Sequence, residues 1–277
     1  MGTRVADKVA LITGVARGQG RSHAIRLAEE GADIIGADIC GQIDGVPFPL
    51  ATAGDLDETR KAVEQLGRQM VCTQVDVRDA AALHAAVTDG VAQLGRLDIV
   101  VANAGIWNHE RAERMSEPMW QNMIDVNLTG VFNTCQAALP HLLQAGRGGS
   151  IILISSTAGL RGVANSVHYA AAKHGVVGIM RSLAIELAPQ SIRVNAVHPT
   201  TVNTDMVLNE AMFKLFRPSV DAPTVEEAIP AFKTLNLLPV PWVESIDISN
   251  AVLFLASDES RYITSVSLPV DAGSSQR

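Results

Sequence analysis

KVALITGVARGQGRSHAIRLAEEG, residues 8–31, carries three signals in a fixed order. The apolar run from Lys8 to Ile12 ends in Thr13-Gly14 and reads as a buried strand. Glycines follow at positions 14, 18 and 20. Gly18 to Glu30 then reads as a helix, with Ala24, Ile25, Leu27 and Ala28 inward and Gly31 as its stop. Glycines so placed permit a tight turn and a close approach of backbone to a pyrophosphate. The free N–H groups and dipole of a helix N-terminus favour that anion. A glycine-rich loop alone is a weak signal, and its place between a strand and a helix strengthens it.

The same alternation continues outward. Further strands are predicted at Ala32–Asp38, Met70–Val77, Leu97–Gly105, Ser150–Ser156, Ile192–Pro199 and Ser265–Gly273. Helices are predicted at 56–66, 80–94, 117–144, 167–187 and 245–256. Alternation of this kind means βαβ units. The expected architecture is therefore an α/β, Rossmann-type, doubly wound parallel sheet of seven strands. Helices should cover both faces, in a single domain over residues 1–277. No fixed-period repeat or low-complexity tract is present. Two stretches break the rhythm. An insertion at about 39–54 holds Gly41, Gly45, Pro47, Pro49 and Gly54. The second, about 200–242, is apolar, with prolines at 218, 223, 230, 239 and 241, and is expected to form a substrate lid.

Composition narrows the class. The chain has 277 residues, 47% of them hydrophobic, enough for one large core. A net charge of −7 argues against a nucleic-acid or anionic-membrane binder. No apolar run reaches the roughly 18 residues a membrane span needs, and the start lacks a signal-peptide pattern. The expectation is a cytoplasmic protein. Three scattered cysteines imply reduced thiols, and no Cys/His ligand cluster suggests a metal.

One half of the chain reads as a cofactor site. Gly14, Arg17, Gly18, Gln19 and Gly20 form the loop. Asp38 ends the second strand, followed by Ile39. An acid at that place accepts hydrogen bonds from both ribose hydroxyls and repels the 2′-phosphate of NADP, so NAD is favoured. Arg17 dissents, because a basic loop residue can serve a 2′-phosphate. Asp76-Val77 is placed to meet the adenine, and Asn103-Ala104-Gly105 lets the chain pass close to a cofactor.

The other half reads as a reaction centre. Tyr169 and Lys173 stand four apart on one helix face, and Ser156 ends the fifth strand. Removing hydride from an alcohol leaves a proton that needs a base. A free tyrosine, with a pKa of about 10, is a poor base near neutrality. A neighbouring ammonium favours the phenolate. Lys173 is also placed to hold the nicotinamide ribose, and Ser156 to steady the substrate oxygen. Asn127 is expected to hold a water that passes protons on from Lys173. A tyrosine and lysine at this spacing are usually a surface pair. The serine, the glycine loop and Asp38 reverse that balance.

Together these residues resemble the short-chain dehydrogenase/reductase family. The markers are Thr13-Gly14-x3-Gly18-x-Gly20, Asp76, Asn103-Ala104-Gly105, Asn127, Ser156, Tyr169, Lys173 and Asp271-Ala272-Gly273. The resemblance spans essentially the whole chain. It implies Tyr169 as general acid/base and commonly a homotetramer. One departure is Pro199-Thr200, where the family usually has Pro-Gly. By position Pro199, Thr200, Val202 and Thr204 still follow the nicotinamide. The segments ARGQGRSHA, DICGQIDGVPFPLAT, NAVHPT and LPVPWVE are more narrowly similar to the mycofactocin-associated members, a group that includes carveol dehydrogenases. That likeness implies tightly held NAD whose electrons leave through mycofactocin. The insertion after Asp38 is then placed to cap the adenosine.

Trp107, Met206 and Val207 are expected in a pocket for a hydrophobic alcohol or ketone, with Ser156. The leading reading is interconversion of a hydrophobic secondary alcohol and its ketone. A 3-oxoacyl-thioester reductase would want a basic patch for its carrier, yet Arg111, Arg114, Arg147 and Arg161 are scattered. A non-catalytic NAD-sensing regulator has no need of Tyr169 and Lys173. A dehalogenase has no need of the glycine loop.

Overall fold

The computed structural model describes residues 3–277. The elements follow as β1 (Val9–Thr13), α1 (Gly18–Glu29), β2 (Asp33–Asp38), α2 (Ala53–Gln65), β3 (Met70–Gln74), α3 (Ala80–Leu94) and β4 (Ile99–Ala102). Then come α4 (Glu117–Ile124), a π-turn (Asp125–Thr129), α5 (Gly130–Ala145), β5 (Gly149–Ile154), α6 (Val167–Leu187) and β6 (Ile192–Pro199). The chain closes with α7 (Glu210–Phe216), α8 (Val225–Lys233), α9 (Ser245–Ala256) and β7 (Ser267–Val270).

The strands form one parallel sheet in the order β3-β2-β1-β4-β5-β6-β7. Ala10 of β1 pairs with Ile34 of β2 on one side and Ile99 of β4 on the other. Strand order reverses at that point, which opens a crevice beyond the carboxyl ends of β1 and β4. The side chains of β1 show why its sequence is apolar throughout. Leu11 joins the core under α3, α5 and α6, and Ala10 and Ile12 join the core under α1 and α9. With both faces covered, no position of β1 is left to water.

Local chemistry sets several boundaries. α2 begins at Ala53, three residues before its expected start. Thr52 accepts from Asp55 N while Asp55 accepts from Thr52 N, a reciprocal cap that nucleates the turn. The strands expected to reach Val77, Gly105 and Ser156 leave the sheet earlier, at Gln74, Ala102 and Ile154. From there the chain peels over the crevice. The helix expected over 117–144 is interrupted by the π-turn at Asp125–Thr129, an extra residue that helical periodicity hides.

Neither irregular stretch is loose. In the 39–54 stretch Ile43, Val46 and Phe48 are buried in the main core. The Gln42 amide fastens the turn from inside, donating to Val46 O and Phe48 O and accepting from Leu50 N. Residues 200–242 carry α7 and α8, and their Val207, Met212, Ala228 and Phe232 form a small core with Trp107. Phe232 meets Phe216 at 4.6 Å and Trp242 at 5.9 Å between ring centroids.

Candidate active site

A cleft lies over the carboxyl ends of β1, β2 and β4. Among the residues expected to hold a cofactor, Gly14, Arg17, Gly18, Gln19, Gly20, Asp38, Ile39, Asp76, Val77, Asn103, Ala104, Gly105 and Thr204 line it. Tyr169, Lys173, Pro199, Thr200 and Val202 do not. Ile43, Phe48, Leu50 and Ala51 also line it, contributed by the 39–54 stretch.

The glycine loop is built for a close approach. Gly14 has φ +66° and Gly18 φ +55°. A Cβ on Gly20 would stand 1.9 Å from Gly14 O, so no side chain fits there. Arg17, the N-cap of α1, makes no side-chain cap, and the first turn holds no acid. Its N–H groups therefore remain for an anion. Asn103 staples this loop from β4, donating to Thr13 O at 3.0 Å and Gly14 O at 3.2 Å. The Thr13 hydroxyl accepts from Asn103 N and Ala104 N in return.

Asp38 is 6% exposed. Its carboxylate accepts from Ala16 N at 2.9 Å and Cys40 N at 3.0 Å. Two main-chain donors thus hold the anion in one orientation, with lone pairs left for ribose hydroxyls. Arg17, the dissenting residue, is already engaged. It pairs with Asp205 at 2.9 Å and donates to Pro49 O. The Asp76 carboxylate is gripped by Arg78 through side-chain contacts of 2.8 and 2.6 Å. Burial alone would raise its pKa, but the Arg78 hydrogen bonds prevail and hold it below the usual carboxylate range.

Lys173 stands beside Gly105, where a Cβ would lie 3.7 Å from its Nζ. Lys173 is buried on α6, with Nζ donating to Ile154 O at 2.9 Å and standing 5.6 Å from the Tyr169 ring centroid. Burial pulls its pKa down to about 8. Tyr169 is half-buried; burial pushes its hydroxyl above the usual value, and the Ser156 hydroxyl acts in the opposite sense. Ser156 caps a short turn, Thr157–Gly159, its hydroxyl accepting from Ala158 N at 3.1 Å. The Ser156 carbonyl accepts from His198 Nδ1 at 2.8 Å. Because a carbonyl only accepts, that nitrogen carries the hydrogen.

The π-turn explains the placing of Asn127, which is fully buried. Its side chain donates to Ile106 O at 2.9 Å and accepts from Ile106 N at 3.1 Å. The side-chain amide thus clasps the chain just past Gly105. Thr200 replaces the family's glycine without a forbidden backbone, and its hydroxyl donates to Asn236 Oδ1 at 3.0 Å, tying the end of β6 to residues 235–240. Of the expected substrate contacts, Met206 lines the cleft, whereas Trp107 and Val207 pack in the core of the 200–242 segment. Trp107 stacks on His109 at 5.2 Å.

The short chain dehydrogenase model matches residues 8–213. A (-)-trans-carveol dehydrogenase from Rhodococcus erythropolis is 55% identical over 271 residues, covering 98% of both chains. The crystal structure of a carveol dehydrogenase from Mycobacterium avium in complex with NAD matches with a TM-score of 0.98 and 57% identity, over 99% of this chain and 100% of that one. A short chain dehydrogenase from Mycobacterium paratuberculosis bound to NAD matches at 0.91 and 44% identity, over 99% and 100%. Sequence, fold and site geometry agree over the length of the chain: it belongs to the short-chain dehydrogenase/reductase family.

Proposed function

We propose that this protein is an NAD-dependent oxidoreductase that interconverts a small hydrophobic secondary alcohol, carveol-like in kind, and its ketone. The observation that carries the reading is the pairing of two preset groups. Asp38 is held in the cleft lining, and Lys173 stands beside Gly105 of the same lining with Tyr169 and Ser156 next to it.

The glycine loop and α1 N-terminus would hold the pyrophosphate of NAD, Asp38 its adenosine ribose and Lys173 its nicotinamide ribose. Bound NAD supplies the hydride acceptor, a positively charged ring that also favours the phenolate of Tyr169. In alcohol oxidation Tyr169 takes the hydroxyl proton. Ser156 donates to the substrate oxygen as charge develops there. The Lys173 ammonium lowers the cost of the phenolate. Proton exit toward water runs past Lys173 and Asn127. Met206, in the cleft lining, is placed against the substrate, and residues 200–242 act as the lid.

The 3-oxoacyl reductase reading finds less support. Arg111 is spent on Glu113 and Arg161 on the C-terminal residues Ser274 and Arg277. NAD held without ready exchange, with mycofactocin as electron acceptor, fits the apolar roof that Ile43, Phe48 and Leu50 form over the cleft. A homotetramer fits the exposed apolar side chains Phe132, Leu143 and Ile185 on α5 and α6. Among the described residues no helix is long and apolar enough to cross a membrane.

The first test is to purify the protein without added cofactor, denature it and identify released nucleotide. NAD at near one per chain is expected, followed by turnover of carveol-like alcohols with an artificial electron acceptor. Absence of bound NAD removes the captive-cofactor part. Absence of turnover across an alcohol and ketone panel, with NAD supplied, overturns the reaction class.

A further inference from the structure

A polar chain, buried at Asn108 and His168, joins the 39–54 stretch to the helix that carries Tyr169. The Gly45 carbonyl accepts from Asn108 Nδ2 at 3.0 Å. Asn108 Oδ1 lies 2.6 Å from His168 Nε2. With the amide nitrogen spent on Gly45, the amide oxygen must accept, so His168 donates from Nε2. Burial lowers the proton affinity of His168, which keeps the ring in that neutral form. His168 directly precedes Tyr169 in the first turn of α6. Neither His168 nor Asn108 touches water, at 0% and 3% exposure, and neither lines the cofactor cleft.

The Gly45 end of this chain is not free to drift. Gln42 fastens the surrounding turn, Ile43 and Phe48 insert into the core, and Arg17 holds Pro49 O. Phe48 and Leu50 of the same turn face the cleft beside Asp38. A roof over the adenosine end is thereby wired to the turn that carries the proton-transfer group. Burial of Asn108 and His168 enforces the link, because a broken bond there leaves their polar atoms with no water to replace it.

We propose that Asn108 and His168 are positioning residues that register the first turn of α6 against the 39–54 stretch, so that the seating of this roof sets the place of the Tyr169 hydroxyl. The proposal rests on the dehydrogenase reading for its effect on turnover, and on geometry alone for the mechanical link. It predicts that loosening the roof lowers kcat as well as cofactor affinity, although the roof touches no reacting atom.

A double-mutant cycle tests it. Gln42→Ala loosens the roof and Asn108→Ala cuts the link. Hydrogen exchange of residues 163–175 is followed with NAD bound, together with kcat and the KM for NAD. Gln42→Ala alone should speed exchange in that segment and lower kcat by about 10-fold, in keeping with the sensitivity of proton transfer to small misplacements. In the Asn108→Ala background it should add nothing to either. His168→Gln keeps a donor and should restore kcat to near the wild-type value, whereas His168→Leu should not. Full additivity of Gln42→Ala and Asn108→Ala overturns the link, as does a His168→Leu enzyme with unchanged kcat. If Asn108→Ala does not fold, the Gln and Leu variants of His168 decide. A wild-type protein without turnover would sink the dehydrogenase reading while the exchange measurements still judge the link.

Discussion

Burial penalises the charged forms of both Tyr169 and Lys173, raising the tyrosine and lowering the lysine to about 8, whereas the two charges would favour each other. Below about pH 8 Lys173 remains an ammonium, the form that promotes the phenolate. Alcohol oxidation should therefore gain with pH as Tyr169 loses its proton. Lys173→Met, which removes the cation, should move that rising limb of the kcat/KM profile to higher pH; an unmoved limb would assign it to another group. Tyr169→Phe should cost about 10²–10⁴-fold in turnover, the usual worth of a general base, with NAD binding retained by calorimetry. Asp38→Asn should narrow the preference for NAD over NADP, measured as the ratio of kcat/KM values. Arg17 is committed to Asp205 and Pro49, so unchanged selectivity in that variant would move ribose recognition away from Asp38.

Two elements set the cleft's shape: the π-turn before α5 and the 39–54 stretch. The first rotates Asn127 into the protein so that it holds both polar groups of Ile106. The second gives Phe48 to the core and the cleft at once. Phe48→Ala should cost about 3–5 kcal/mol of stability, as for other large-to-small core changes. It should weaken NAD binding in the same protein. Denaturant unfolding and NAD titration would check the two effects. Loss of one without the other would mean the stretch is only scaffold or only roof.

Across the whole molecule, α1 is locked to α9 through His23, whose Nδ1 lies 2.8 Å from Ser249 Oγ. Burial drives the pKa of His23 from 6.5 to about 3. Between those values the unfolded chain binds a proton that the native one refuses. Stability therefore rises with pH across that window and is lost as pH falls from about 6.5 toward about 3. His23→Gln should flatten this acid limb in urea unfolding measured at a series of pH values. A second prediction at this scale concerns assembly. Ile185→Glu combined with Phe132→Glu should lower the sedimentation mass of a tetramer, and a monomeric wild type would remove that expectation.

The sequence by itself determined the sheet, its parallel sense and the glycine turn after β1, and it set Tyr169 and Lys173 four apart on α6. Those features rest on short-range rules: apolar runs, glycine spacing, and residues four apart on a helix. Val9–Thr13, Gly18–Glu29 and Val167–Leu187 lie within a residue or so of their expected bounds. Only the tertiary structure decided the rest. The π-turn looked like continuous helix because one extra residue barely disturbs an apolar period. Arg17 looked available until Asp205 and Pro49 were seen against it. Trp107 and Val207 looked like pocket walls, and packing placed them in the core of the 200–242 segment. The Gly45–Asn108–His168 chain joins residues 60 or more positions apart, and periodicity carries no record of such contacts. Partners distant along the chain are chosen by how elements pack, which is where local rules lose their reach.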